Sequence, residues 1–397
     1  MATTAHTHSP RLSSRTQHFV LPKQWASMRK AEAQERATGQ RVIHFEKGDF
    51  QGDEFRPAPH IAEACAKAVA DGHVRYVPGP GLPELRDAIA EEMTKRGRPT
   101  VREEVLVTMG AKHALTQSLL TLVDQGDEVI FPNPGYPPDE FWITYAGGRV
   151  TYAPLIEPDF HFDLDALSGL VGPRTKLLII NTPQRPNGMV VGQLDEIAAI
   201  CAERDVMVLS DEIFSHMVYA PAEHRTIAAV EGMADRSIVV DTFSKTYIMT
   251  GFRIGWCVAN KDLITTMDIF QQNSVTNVPA FVQLAALAAL TGPQDHVAET
   301  TARLQRKRDK VVEFLNRLDG IECPTPDGSF YVFPDIRGTG MNAQEFTDYL
   351  MERYGVGVVA GTAFGDRGEG HVRLTYAAPD DVLEEGLDRI KRAVEDL

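Results

Sequence analysis

SIVVDTFSKTYIMTGFRIGWCV, residues 237–258, holds two short apolar runs, SIVVD (237–241) and IGWCV (254–258), around a polar loop. Unbroken apolar runs of this length suit strands buried on both faces beneath helices. Lys245 lies in that loop, four residues past the end of the first run. Hydroxyl residues flank it, and Gly251 and Arg253 follow. Upstream, EVLVT (104–108), EVIF (128–131), LLII (177–180) and VMVLS (206–210) have the same character. Helical patterns alternate with them, among them 60–71 and 83–96, where Leu85, Ile89 and Met93 recur at period four. This alternation predicts an α/β fold with a mostly parallel central sheet.

Past about residue 280 the pattern changes. FVQLAALAAL (281–290) and residues 295–317 read as helices, and GSFYVF (328–333) as a strand. A last helix from about 380 to 397 has Val382, Leu387, Ile390 and Val394 on one face. Residues 24–38 also look helical. We therefore expect a large domain at 50–290 and a smaller α+β domain built from 12–49 and 291–397. Residues 1–11 are expected to be a disordered tail, His6 and His8 included, with no metal site.

The chain has 397 residues, 43% of them hydrophobic, enough for a full core. A net charge of −15 leaves no basic surplus to neutralise nucleic-acid phosphates. No apolar run approaches the roughly 20 residues that span a bilayer, and the polar N-terminus lacks the apolar region of a signal peptide. Cys65, Cys201, Cys257 and Cys323 are scattered without metal spacing, as in a protein of the reducing cytoplasm. The expectation is a cytoplasmic protein with a small-molecule ligand, no nucleic acid and no membrane.

The ligand site is suggested by where the odd residues fall. Gly110, Asn133, Asn181, Asp211 and Lys245 all stand at or just past strand ends. Polar residues at the carboxyl ends of parallel strands mark the ligand crevice of an open α/β sheet. Gly110-Ala111-Lys112 opens a helix straight after a strand, where free N–H groups and the helix dipole favour an anion. Asp211 ends an apolar strand, an awkward place for an unpaired charge.

At these residues the sequence resembles the class I/II aminotransferases, fold-type-I enzymes that use pyridoxal 5'-phosphate (PLP). The resemblance runs from about Leu12 to the C-terminus. It includes YVPGPGLPELR (76–86), VTMGAKHAL (107–115), PGYP (134–137), SDEIF (210–214), GSFYVF (328–333) and GTAFG…HVRLTYA (361–377). It implies that Lys245 holds PLP as a Schiff base and then serves as acid and base at Cα of an amino acid. Gly110, Ala111, Lys112, Thr242 and Arg253 would cradle the phosphate, with Tyr76 reaching in from the second subunit of a homodimer. Asp211 would pair with the ring nitrogen, and Tyr136 would stack on the ring. Arg373 would bind the substrate carboxylate, a task suited to a bidentate guanidinium, with Asn181 also placed on the substrate side.

Three positions depart from the family. NTPQRPNG (181–188) puts Arg185 where the family has the Asn that bonds the PLP phenolic oxygen. Phe214 replaces the Tyr that bonds the same oxygen. Arg185 then either supplies a charged hydrogen bond there, turns outward to substrate, or makes a surface salt bridge. Glu46, in HFEKGDF (44–50), replaces a glycine beside the substrate and would attract a cationic side chain. The default activity is transamination between an amino acid and a 2-oxo acid. The alternatives are a PLP enzyme of elimination, replacement, cyclisation or carbon–carbon bond formation, acting on a cationic or sulfonium amino acid, and, more remotely, an aminotransferase-like regulator.

Overall fold

The structure, a computed structural model, describes residues 11–19, 21 and 23–397. The tail expected at 1–11, with His6 and His8, lies outside the described residues except for Arg11.

A two-residue strand, β1 (Ile43–His44), comes first in the chain. Eight strands then form the main sheet: β2 (Val105–Thr108), β3 (Glu128–Asn133), β4 (Arg149–Ile156), β5 (His161–Phe162), β6 (Thr175–Asn181), β7 (Met207–Asp211), β8 (Ser237–Thr242) and β9 (Gly255–Val258). Their order across the sheet is β2-β9-β8-β7-β6-β3-β4-β5. β8, β7, β6, β3 and β4 run parallel to one another. β9 is antiparallel to both β2 and β8, and β5 to β4, so the sheet is mixed.

The apolar runs are strands because both faces of the sheet are covered. Alternate residues of a strand point to opposite faces. Val105, Val107, Val239 and Val258 pack on one side, with the helices Pro59–Ala70, Pro83–Lys95 and Ala280–Thr291. Leu106, Ile238, Val240 and Cys257 pack on the other, with Ala111–Leu122 and Lys261–Ser274. Each fully buried aliphatic side chain of this kind is worth about 1.5–3 kcal/mol of transfer free energy.

A second layer is built from the two ends of the chain. Its strands are β10 (Tyr331–Val332), β11 (Val356–Gly357), β12 (Val359–Ala360) and β13 (Val372–Thr375). The last three-stranded sheet has the order β10-β13-β12, and β1 pairs in parallel with β11. The helix Asp380–Glu395 buries Leu383, Leu387 and Ile390 against this layer. The layer brings Arg373 on β13 and the segment after β1 to the carboxyl ends of β7 and β8.

Candidate active site

Asp211 closes β7 and is wholly buried. Its carbonyl accepts from Asn181 Nδ2 at 2.7 Å and from Thr182 N at 3.0 Å, which fixes the strand end. Its carboxylate accepts from Arg185 Nη2 and, at 3.3 Å, from Ile213 N. Burial raises the Asp211 pKa above the ordinary carboxylate value, and the Arg185 charge opposes that shift. The Arg185 guanidinium also lies over the Tyr136 ring, 3.6 Å from its centroid. Asn181 Oδ1 holds Arg185 from below, accepting from its N at 2.7 Å and its Nε at 3.2 Å.

Around this pair is a cavity of about 670 Å³. Lys245, Tyr136, Arg185, Asp211, Thr242, Arg253 and Arg373 line it, together with residues 46–49, Ala111 and Lys112. Lys245 Nζ donates to Gly48 O at 2.8 Å and lies 5.0 Å from the Phe330 ring centroid. Burial first, and then the Arg185, Arg253 and Arg373 charges against an opposing Asp49, bring its pKa down to about 8. A lysine so placed is an available nucleophile and proton carrier near neutral pH.

One end of the cavity is a cradle. Gly110 caps the helix Ala111–Leu122 with φ of 78°. A Cβ at that residue would lie 2.8 Å from Arg253 Nη2, so only glycine lets the guanidinium close over the helix start. Arg253 is itself held by Thr250 O, at 2.7 Å from Nη1. Thr242 Oγ1 donates to Ile254 O at 2.9 Å and so faces the same loop. At the other end, Arg373 Nη2 donates to Glu46 O at 2.6 Å, and its Cζ lies 4.5 Å from the Tyr331 centroid. Arg373 Nε is buried with no hydrogen-bond partner among the described residues.

Residues 40–390 match the family described as aminotransferase class I and II. The chain belongs to this family. It is 37% identical over 348 residues to an aspartate aminotransferase of Pyrococcus abyssi, covering 86% of this chain and 89% of that one. It is 35% identical to aromatic-amino-acid aminotransferase 2 of Thermococcus litoralis, covering 86% and 90%. Among solved structures, the Thermus thermophilus aspartate aminotransferase with maleate superposes with a TM-score of 0.90 at 32% identity, covering 97% and 100%. The protein is thus a PLP-dependent aminotransferase of fold type I.

The cavity of this aminotransferase fits PLP at both ends. The cradle supplies what a phosphate dianion needs: the first N–H groups of the helix at Ala111 and Lys112, the Thr242 hydroxyl and the Arg253 guanidinium. At the ring end, Arg185 is a flat cation between an aromatic face and a buried carboxylate. A protonated pyridine ring is likewise flat and cationic, so an aromatic face and a buried carboxylate of this kind fit it.

Several expectations meet a different geometry. Asn181 does not line the cavity; its amide is spent on Asp211 and Arg185. Glu46 touches the cavity, but its carboxylate turns to His44 Nδ1 at 2.7 Å and is wholly buried. Arg185 makes no surface salt bridge: its partner is Asp211. Asn133 is tied to Asp366 Oδ1 at 2.5 Å. Tyr76, whose expected place is the site of a second copy, is 86% exposed and lies outside the cavity of its own chain. Phe214 is buried edge-on against Phe330, with centroids 5.3 Å apart.

Asp139, Asp49 and Tyr331 were not singled out from the sequence. Asp139 is buried, and burial with the nearby Asp211 raises its pKa to about 7. Its only sequence signal is its place three residues after Tyr136, in the first turn of the helix Pro137–Ala146. Asp49 and Tyr331 sit inside the quoted segments HFEKGDF and GSFYVF and line the cavity.

Proposed function

We propose that this aminotransferase moves the α-amino group of an acidic amino acid to a 2-oxo acid, with Lys245 as the residue that carries PLP. The observation behind the acidic preference is the imbalance of partners in the cavity wall. Asp211 is committed to Arg185, Glu46 to His44, and Asp49 to Phe50 N and Thr250 Oγ1. Lys112 lines the same wall with no carboxylate at ion-pair distance among the described residues, and only Asp139 acts on it from farther off. Burial and the Arg185 and Arg253 charges lower its pKa, so a carboxylate arriving beside it would be well received. The cationic-substrate reading rested on Glu46, whose carboxylate points away. The names of the Pyrococcus abyssi and Thermus relatives support the acidic class.

When bound, PLP supplies an electron sink for the charge that develops at Cα. Gly110, Ala111, the Lys112 backbone, Thr242 and Arg253 would hold its phosphate, which leaves the Lys112 ammonium to the substrate's distal carboxylate. Asp211 would give the ring nitrogen the bond it now gives Arg185, and Tyr136 would cover the ring face. Arg373 would take the α-carboxylate on the side of Nε, while Lys245 carries the proton to and from Cα. Tyr76, exposed in its own chain, would serve the site of a second copy in a homodimer. We read residues 50–290 as the PLP domain and 12–49 with 291–397 as the small domain. The cysteines are unpaired, which supports a cytoplasmic setting. Among the described residues no helix is long and apolar enough to cross a membrane.

The test is a donor panel of L-aspartate, L-glutamate, L-alanine and L-lysine, followed by the conversion of bound PLP to pyridoxamine phosphate. Aspartate or glutamate should convert it fastest. A lead for alanine or lysine would overturn the acidic class, and no conversion by any donor would overturn transamination itself.

A further inference from the structure

Glu46 is a carboxylate where the family has a glycine, and the structure gives it a well-defined seat. Its side chain is wholly buried, with Oε1 2.7 Å from His44 Nδ1. The other imidazole nitrogen of His44 lies 3.7 Å from Glu35 Oε2, on the helix Lys23–Thr38. Glu35 in turn accepts from Val42 N at 2.8 Å. Gly357 on β11 makes room for the carboxylate, because a Cβ there would collide with Glu46 Oε2. The Glu46 backbone carbonyl receives Arg373 Nη2 at 2.6 Å. Two residues later Gly48 O receives Lys245 Nζ at 2.8 Å.

We propose that Glu46 is a positioning residue: anchored by His44 and Glu35, its carboxylate fixes the carbonyl against which Arg373 is set to receive the substrate's α-carboxylate. This rests on the reading of Arg373 given above. Residues 46–49 lie outside any helix or strand, and loops are the more mobile parts of a fold. An anchor on the paired strands β1 and β11 makes the carbonyl a stationary stop for the guanidinium. Without it, Arg373 keeps its charge but loses its register.

Protonated His44 donates toward both carboxylates, whereas the neutral ring can donate to only one. The Glu46 hydrogen bond, with the Glu46 and Glu35 charges, raises the His44 pKa above its ordinary 6.5, against burial and Lys47. The other elements packed here add little. β11 contributes Val356 and Gly357, neither titratable, and Arg389 of the helix Asp380–Glu395 is engaged by the carbonyls of Arg41, Tyr354 and Gly355. A group with a raised folded pKa gives its full contribution below the unfolded value and loses it as pH rises through the folded one. The anchor is therefore firmest in mild acid and slackens above the raised His44 value.

The experiment is steady-state kinetics of the holoenzyme with L-aspartate and L-alanine as donors, across about pH 6 to about pH 9, the span in which a histidine titrates. The two donors share the α-carboxylate and differ in the distal group. Glu46→Ala should raise KM for both donors alike, by up to about a hundredfold where the guanidinium is misplaced by about 1 Å, with a smaller change in kcat. Glu46→Gln, which can still accept from His44, should recover most of the loss. His44→Asn keeps a donor but cannot titrate, so it should flatten the part of the KM–pH profile that rises in wild type. An unchanged KM in Glu46→Ala would overturn the proposal, as would a KM change for one donor only, which would make Glu46 a distal-group selector. A KM–pH profile in His44→Asn that matches wild type would remove the His44 anchor. Should Glu46→Ala fail to fold, the KM–pH profile of His44→Asn carries the test. Arg373→Lys is the control. If it leaves KM unchanged, the Arg373 reading has failed; if it raises KM while the Glu46 and His44 variants do not, only the positioning role has failed.

Discussion

Arg185 and Lys245 show how much one side chain's surroundings decide. Arg185 is an arginine with almost no exposure, whose charge is matched by Asp211 and whose face is matched by Tyr136. Removing one partner of a buried pair leaves an uncompensated charge and costs about 3–5 kcal/mol. Arg185→Ala should therefore destabilise the cofactor-free protein by about that amount in denaturant unfolding. The deficit should shrink in the holoenzyme, where the ring nitrogen meets Asp211 instead. An equal deficit with and without cofactor would mean that the ring does not take over the bond. Lys245 poses a different problem, because its pKa of about 8 is set mainly by burial. Only the neutral amine attacks the cofactor's aldehyde, so the rate of PLP capture by apoenzyme should climb with pH and level off above about 8. A lysine depressed in the folded state also binds fewer protons than the unfolded chain, so stability should rise with pH between about 8 and the ordinary 10.5. A capture rate still climbing towards that ordinary value would show that the amine is solvated.

The elements were legible where burial on both faces leaves an unbroken apolar run. All six runs are strands of the main sheet, and of the polar residues at or past their ends Asp211 and Lys245 line the cavity. β4 escaped notice because Arg149, Thr151 and Tyr152 interrupt its apolar character, as its partly exposed place near the sheet edge allows. The antiparallel run of β9 could not be read either, since direction depends on which neighbours a strand pairs with. The same limit explains Glu46 and Asn181. Proximity to the site follows from local sequence, but side-chain direction is set by distant partners: Gly357 and His44 for one, Asp211 and Arg185 for the other. Arg96 is a further case, ordinary at a helix end in sequence. Its guanidinium pairs with the buried Glu212 and with Asp241 at 2.9 Å, residues adjoining Asp211 and Thr242. One cation thereby ties together the ends of β7 and β8. Burial nonetheless lifts the Glu212 pKa to about 6.

At the scale of the whole molecule, an acidic chain surrounds a cavity rich in cations, and the proposed homodimer gives an exposed aromatic ring outside that cavity a use. Tyr76 is 86% exposed, and Val74 beside it 62%. A phenol ring so uncovered on a surface segment fits a C2 assembly, in which each copy lends the residue to the other's site. Subunit mixing decides whether it does. Lys245→Ala and Tyr76→Ala homodimers should each be impaired, the first for want of the amine and the second for want of the lent hydroxyl. In a mixed dimer, the site with the intact Lys245 receives the intact Tyr76 of the other subunit, and the second site carries both defects. Random exchange makes half the dimers mixed, each with one good site, so activity should recover to about a quarter of wild type. If Tyr76 served its own subunit, every site in the mixed dimer would carry one defect and nothing would be regained. Exchange has to be driven through unfolding and refolding of tagged chains, and mixed dimers then isolated by both tags should show about half of wild-type activity. A sedimentation experiment showing an active monomer would remove the shared site altogether.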